Sequence, residues 1–155
     1  MGPSHYAVIS VEKELYTWGV SSAGGINSSS TISKLGHGKN FGFTRHPKLV
    51  ESLNGISIVQ VDITNETTCC VSEEGDLYVF GSNLYGCLGI KNKSENNDYD
   101  LDDGGNLFSP TRLKFFFDKK LKISKLACGD AHVIVLTDSN QIFTWVIIKK
   151  AFENN

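Results

Sequence analysis

Asp76-Leu77-Tyr78-Val79-Phe80-Gly81-Ser82-Asn83-Leu84-Tyr85-Gly86-Cys87-Leu88-Gly89 is the stretch that sets the architecture. An alternating run ends in an aromatic-glycine pair, Phe80-Gly81, and a loop bounded by Gly86 and Gly89 follows. The same phrase occurs earlier as Glu14-Leu15-Tyr16-Thr17-Trp18-Gly19, answered after a longer loop by Leu35-Gly36-His37-Gly38. It starts again at Gln141-Ile142-Phe143-Thr144-Trp145. Trp18 to Phe80 is 62 positions and Phe80 to Trp145 is 65. Thirteen positions before each aromatic stand His5, Thr67 and His132, each opening an apolar run: Tyr6 to Ile9, Thr68 to Val71 and Val133 to Leu136. Two independent landmarks keep one register, so the chain is a repeat array.

Working outward, Tyr6 to Val11 reads as a buried strand, Glu12-Lys13 as a turn, and Leu15 to Trp18 as the returning partner. The Ser- and Gly-rich stretch from Val20 to His46 has no sustained apolar period and reads as a surface loop. After Pro47, Leu49 to Leu53 reads as a short strand. Ile56 to Ile63 is β-branched, and Cys69 to Ser72 pairs with Leu77 to Phe80 across Glu73-Glu74-Gly75, completing one four-strand unit. A second loop, Ser82 to Ser109, precedes Pro110. Strands are then expected at Leu113 to Phe117, Leu121 to Ala127, Val133 to Thr137 and Ile142 to Trp145. The fold class is all-β: a partial β-propeller of about two and a half four-stranded blades, each covering its faces against its neighbours.

Composition is that of an ordinary globular chain, 40% hydrophobic and 21% charged over 155 residues. A formal net charge of -2 offers no global attraction to nucleic acid or anionic membrane. No apolar run approaches the roughly 18 residues of a membrane span, and the start lacks a signal-peptide pattern. The four cysteines therefore read as reduced thiols in a cytoplasmic or nuclear protein. Asn27-Ser28-Ser29, Asn65-Glu66-Thr67 and Asn92-Lys93-Ser94 read as chance matches to the glycosylation pattern.

Leu15-Tyr16-Thr17-Trp18-Gly19, Leu35-Gly36-His37-Gly38, the prolines Pro47 and Pro110, and Cys128-Gly129-Asp130-Ala131-His132 together resemble the regulator of chromosome condensation repeats. That family builds seven-bladed propellers, and the resemblance runs from about Ser4 to Trp145. Within it, His5 to Trp18, Tyr85-Gly86-Cys87 and Phe115-Phe116 look most like the propeller that follows the catalytic domain in the NimA-related mitotic kinases. The repeat region is accordingly 1–145, with 146–155 a tail outside the family pattern. Three departures stand out. Ile63-Thr64-Asn65 replaces the Cys-Gly-Asp triplet, Thr67 replaces the histidine, and Val146 stands where the other copies have Gly19 and Gly81. With fewer blades than the roughly four to eight of a closed propeller, the isolated chain is expected to be marginal or aggregation-prone.

Candidate chemistry is sparse. Cys69, Cys70, Cys128 and His132 offer zinc-type ligands, but adjacent cysteines on a strand point to opposite faces, so they read as structural thiols. His5 and His132, at equivalent strand starts, read as tying turn backbone by hydrogen bonds. The acidic loop Asp98 to Gly104 has the alternation of a calcium loop. However, Asp103 stands at the turn glycine and Ser109 at the bidentate glutamate, so it reads as solvated. Lys91, Lys93, Lys119, Lys120, Lys122 and Lys125 read as a solvated basic face without aromatic interleaving. Ser28 to Ser33 and Ser109-Pro110 are loop serines open to phosphorylation.

No Gly-rich phosphate loop, His-Arg-Asp or Asp-Phe-Gly is present, so no catalytic, cofactor-binding or metal residues are assigned. The expected function is a non-catalytic interaction scaffold whose loops meet protein partners. For the kinase relatives, the resemblance implies restraint of an adjoining kinase domain and partner binding that includes a Ran-like small GTPase. The alternative is part of a guanine nucleotide exchange factor for such a GTPase, the founding member's activity.

Overall fold

The computed structural model describes residues 5–20, 34–39, 41–83, 86–90, 99, 101, 105–130 and 132–146. Ten strands form three antiparallel sheets. The first contains β1 (His5–Ile9), β2 (Leu15–Val20) and β3 (Phe43–Leu49). The second contains β4 (Ile58–Ile63), β5 (Thr67–Ser72), β6 (Leu77–Gly81) and β7 (Leu107–Arg112), in that order. The third contains β8 (Ile123–Cys128), β9 (His132–Thr137) and β10 (Ile142–Val146). These are three successive blades of a partial propeller. Their register is the one the landmarks require: His5, Thr67 and His132 are the first residues of β1, β5 and β9. Trp18, Phe80 and Trp145 face Tyr6, Thr68 and Val133 across equivalent hairpins.

One turn is built three times. Ser10, Ser72 and Thr137 accept from the amides of Lys13, Gly75 and Asn140 at their carbonyls (3.0, 2.9 and 3.1 Å). Their hydroxyls accept from the amides of Glu14, Asp76 and Gln141 (3.2, 3.2 and 3.0 Å). Closing the turn puts its fourth residue in the left-handed region, at φ 64° for Lys13, 80° for Gly75 and 61° for Asn140. Only glycine takes that conformation without steric cost. The first two turns also seat the start of the next blade's first strand: Ile58 N donates to Lys13 O at 2.8 Å, and Ile123 N to Gly75 O at 2.9 Å.

Two expectations are corrected. Pro47 and Pro110 do not precede the strands expected to open each four-strand unit but lie inside β3 and β7, which extend back into the stretches read as loops. Both strands sit at the outer edge of their sheets, where a residue without an N–H breaks no ladder bond. The strand after each long loop thus completes the blade that the loop left, and the unit boundary shifts by one strand.

The runs after the prolines are also not strands. Leu113 to Phe117 gives way to a five-residue helix, α1 (Lys114–Asp118), and Leu49 to Leu53 ends in a single 3₁₀ turn, Glu51–Leu53. The cause is the connection itself. Val50 N and Leu113 N bond back to Leu15 O and Leu77 O (both 2.9 Å). The chain must then cross from the outer edge to the inner strand of the next blade, and a helical turn reverses it while burying Leu53 or Phe116.

Candidate interaction surface

Adjacent blades are joined by a clasp assembled from the Leu-Gly loops. Leu35 and Leu88 are fully buried. The glycine after each has positive φ, 76° at Gly36 and 68° at Gly89, and lies on the aromatic ring of the following blade. A Cβ at Gly36 would stand 2.8 Å from Phe80 Cε2, and one at Gly89 would stand 2.9 Å from Trp145 Cε2. The aromatic that ends one blade's hairpin is therefore gripped by the loop leaving the blade before it.

Each clasp also carries a hydrogen bond, made in two different ways. The Trp145 indole Nε1 donates to Cys87 O at 2.8 Å. Phe80 has no donor, and its cross-strand partner Thr68 donates instead, from Oγ1 to Lys34 O at 2.7 Å. Val133, the residue equivalent to Thr68 beside Trp145, needs no hydroxyl.

Around the first clasp lies a buried polar node. Because the Thr68 hydroxyl proton goes to Lys34 O, Thr68 Oγ1 accepts from His5 Nε2 at 3.0 Å. That fixes the His5 tautomer and leaves Nδ1 as a buried acceptor with no partner. Burial, reinforced by the nearby Lys34 ammonium, depresses the His5 pKa to about 3, so the ring is neutral. Lys34 is itself buried, donating to Asn65 O at 2.9 Å and approaching Glu66 Oε2 at 3.5 Å. Burial lowers its pKa, with Glu66 opposing the shift. The node joins blades and offers no activated nucleophile, since the Thr68 hydroxyl is committed to a carbonyl.

One of the two histidines departs from expectation. His5 bonds a threonine hydroxyl on the next blade rather than turn backbone. His132 has its imidazole over Gly129, whose amide donates to His132 O at 2.9 Å. A histidine does support a loop at His37: the Thr17 hydroxyl donates to Leu35 O at 2.6 Å and accepts from His37 Nε2 at 3.0 Å. Burial lowers the His37 pKa.

Of the zinc-type residues, Cys69 and Cys128 meet across blades 2 and 3. Hydrogen bonding to Cys128, together with burial, raises the Cys69 thiol pKa. Asp62, the cross-strand partner of Cys69, accepts from Cys128 N at 2.8 Å, which places both on the face turned to β8. Cys70 points to the other face, where burial raises its pKa. Among the described residues no group of three His, Cys, Asp or Glu side chains is placed to hold a metal ion.

About half of each long loop, Val20 to His46 and Ser82 to Ser109, falls outside the described residues, as do Ser28 to Ser33, Lys91, Lys93 and the tail 147–155. Of the acidic stretch Asp98 to Gly104 only Tyr99 and Leu101 are described. Tyr99 Oη accepts from Lys114 N at 3.0 Å, and Leu101 packs on the core. The basic face is not merely solvated: Lys119 Nζ lies 5.3 Å from the Phe115 ring centre, so aromatics are interleaved with the lysines. Sequence reasoning missed this because three successive phenylalanines read as a buried strand. Clefts of about 190 Å³ at Gly36 to Gly38 and about 230 Å³ at the first hairpin turn are below the ~300 to 1,000 Å³ of small-molecule sites. No described helix is long and apolar enough to cross a membrane.

Comparison with known proteins agrees with this architecture. Two profiles described as the regulator of chromosome condensation (RCC1) repeat match residues 58–87 and 74–136, together more than half the chain. The serine/threonine-protein kinase Nek9 of Mus musculus is 40% identical over 93% of this chain, and its Xenopus laevis counterpart is 38% identical. The matched region is only 13% and 14% of those proteins' length. The crystal structure of Prp20p from Saccharomyces cerevisiae superposes with a TM-score of 0.67 at 19% identity, covering 97% of this chain and 32% of that one, which shows the shared fold. With its repeat register, inter-blade clasps and profile matches in agreement, the chain belongs to the regulator of chromosome condensation (RCC1) repeat family.

Proposed function

We propose that the chain is a non-catalytic interaction scaffold belonging to the regulatory propeller of a NimA-related serine/threonine kinase. The observation that carries this reading is the 40% identity to mouse Nek9 over 93% of the chain. The partner favoured is the kinase domain of the same parent chain, with a Ran-like small GTPase second, and the parent's catalytic residues lie outside this region. Free, mostly buried thiols at Cys69, Cys70, Cys87 and Cys128 support residence in the reducing cytoplasm or nucleus.

The clasps give the reading its physical content. Gly36 on Phe80 and Gly89 on Trp145 lock successive blades into one body, and a stiff body can hold loops in fixed relative positions. Nucleotide exchange on a Ran-like GTPase is the competing reading. Prp20p itself binds Gsp1p and histones. At 19% identity the likeness carries the fold and not the partners.

The repeat region is proposed to end at Trp145, with 146–155 outside it. Gly19 and Gly81 sit at φ 112° and 115°, and a Cβ at Gly81 would run into the Glu66 carbonyl. A valine in that register position, Val146, departs from both copies.

Two assays on the intact parent test the function. Removing the propeller from the kinase should raise turnover, and adding it back in trans should lower it. Mixing the propeller with a small GTPase loaded with fluorescent nucleotide should give release at the spontaneous rate. Accelerated release with unaltered kinase turnover would reverse the assignment.

A further inference from the structure

The connection between blades is built twice, and the two copies differ where the fold leaves them free. Val50 and Leu113 hold equivalent places, bonding back to Leu15 O and Leu77 O. Three residues on, Leu53 and Phe116 turn inward and are buried. Around that inward residue the first copy carries Ser52 and Asn54, whereas the second carries Phe115 and Phe117, 47% and 46% exposed. The architecture thus requires one apolar side chain here. Two further phenyl rings held half in water mark a surface for contact.

Charge gathers on the same element. Residues 112–122 contain Arg112, Lys114, Lys119, Lys120 and Lys122 against Asp118 alone, in a chain of formal net charge -2. Arg112 lies over the Phe117 ring with its Cζ 3.6 Å from the centroid, held there by Asp76 Oδ2 at 3.3 Å from Nη1. Beside Phe117 is a depression of about 390 Å³ lined by Phe116, Phe117 and Leu121 together with Asp76, Asp118 and Lys120.

We propose that this face docks an acidic protein segment carrying a large apolar side chain, with that side chain seated beside Phe117 and flanking carboxylates on Lys119 and Lys120. The inference rests on the scaffold reading and supplies a partner chemistry for one of its faces. Charge complementarity selects the acidic flanks, and the apolar depression selects the anchor. A nucleic acid strand fits less well. Arg112 already covers the Phe117 ring and Phe115 is engaged edge-on by Phe116 and Phe143, which leaves little free ring face on which a base could stack.

Fluorescence anisotropy on the full chain tests this, using a labelled synthetic peptide with alternating glutamates around a central Phe-Leu pair. Saturable binding is expected with Kd on the order of 10 µM, as for a weak transient contact. The Phe115→Ser/Phe117→Asn variant, which installs the residues of the first copy, should weaken it at least about tenfold while the chain stays folded by circular dichroism. The Lys119→Glu/Lys120→Glu variant should do the same, and a lysine-for-glutamate peptide should not bind. Undiminished affinity in either variant, tighter binding of labelled oligothymidylate, or no saturable binding would overturn the proposal. If the peptide fails while the propeller still restrains the kinase domain, only this inference falls. If both fail, the scaffold reading falls with it.

Discussion

β5 and β9 hold the same place in successive blades, yet their surroundings differ completely. β5 reads Thr-Thr-Cys-Cys-Val-Ser and all six residues are buried, whereas β9 reads His-Val-Ile-Val-Leu-Thr with His132 and Ile134 exposed. The more apolar strand is the less buried one. Blade 2 is covered on both faces by its neighbours, while blade 3 is covered on one. On the opposite flank, Tyr6 (49%) and Val8 (44%) of β1 are likewise exposed, with Tyr6 stacked on Trp18 at 5.4 Å between centroids. Burial in this molecule is a property of position in the stack, and it obliges the hydroxyls of β5 to find partners. Thr67 Oγ1 donates to Ser82 O at 2.8 Å, Thr68 Oγ1 donates to Lys34 O, and Ser72 Oγ accepts from Asp76 N.

The strongest way to break the comparison is to place one charge at the matched positions Cys69 and Ile134. Cys69→Asp buries a carboxylate on a fully covered face, a cost of several kcal/mol that should leave the chain unfolded by circular dichroism. Ile134→Asp should change the unfolding free energy from urea titration by no more than about 0.5 kcal/mol and reduce self-association in sedimentation velocity. Equal losses at the two sites would mean that blade 3 is covered in solution.

The pH dependence of the first clasp comes next. His5 has a folded pKa of about 3 against 6.5 when unfolded, so only the unfolded chain takes up this proton between those values. The contribution is fully present above pH 6.5 and is lost on acidification, at about 1.4 kcal/mol per pH unit, or about 2 kcal/mol by pH 5. His5→Gln retains a donor toward Thr68 without a titrating ring. It should flatten that segment of the urea-midpoint profile, and a slope unchanged by the substitution would place the titrating group elsewhere.

The two clasps can then be interchanged. Val133→Thr alone introduces a hydroxyl that Trp145 makes redundant and should cost about 1 kcal/mol. After Trp145→Phe has removed the indole donor to Cys87 O, the same Val133→Thr change should become stabilising, copying the Thr68/Phe80 arrangement. A coupling of more than about 1 kcal/mol in the double-mutant cycle is expected, and strict additivity would show that the clasp hydrogen bonds are not equivalent.

What the sequence revealed divides along physical lines. The landmarks at His5, Thr67 and His132 and at Trp18, Phe80 and Trp145 located the hairpins because strand periodicity and turn chemistry are local. The placing of Pro47 and Pro110 inside strands was hidden. Proline marks either a loop end or a sheet edge, and which edge is outermost depends on sheet order. Leu113 to Phe117 was hidden too, since its β-prone residues are overruled by the need to reverse direction between blades. Leu35-Gly36 and Leu88-Gly89 were visible as motifs, but that each glycine grips the next blade's ring could be seen only with the blades side by side. The polar node at His5, Thr68 and Lys34 joins residues 63 and 34 positions apart in its two main bonds, and no spacing rule links them.

The smallest expected effect is a gain. Lys13, Gly75 and Asn140 occupy one left-handed turn position in three copies, and only the middle blade supplies glycine. Its glycine is doubly required, because a Cβ there would also stand 2.8 Å from Lys122 Cβ, just before the strand the turn receives. At Lys13 the conformational strain of a side-chain-bearing residue remains, while the exposed ion pair with Glu73 returns little. Lys13→Gly should therefore raise stability by about 0.5 kcal/mol. Relief of the left-handed strain, roughly 1 kcal/mol, exceeds the added flexibility of the unfolded chain. Asn140→Gly should give less, since asparagine already tolerates this region. A urea titration that ranks Asn140→Gly above Lys13→Gly, or finds Lys13→Gly destabilising, would show that the Glu73 contact contributes more to holding blades 1 and 2 together than the turn's backbone geometry takes away.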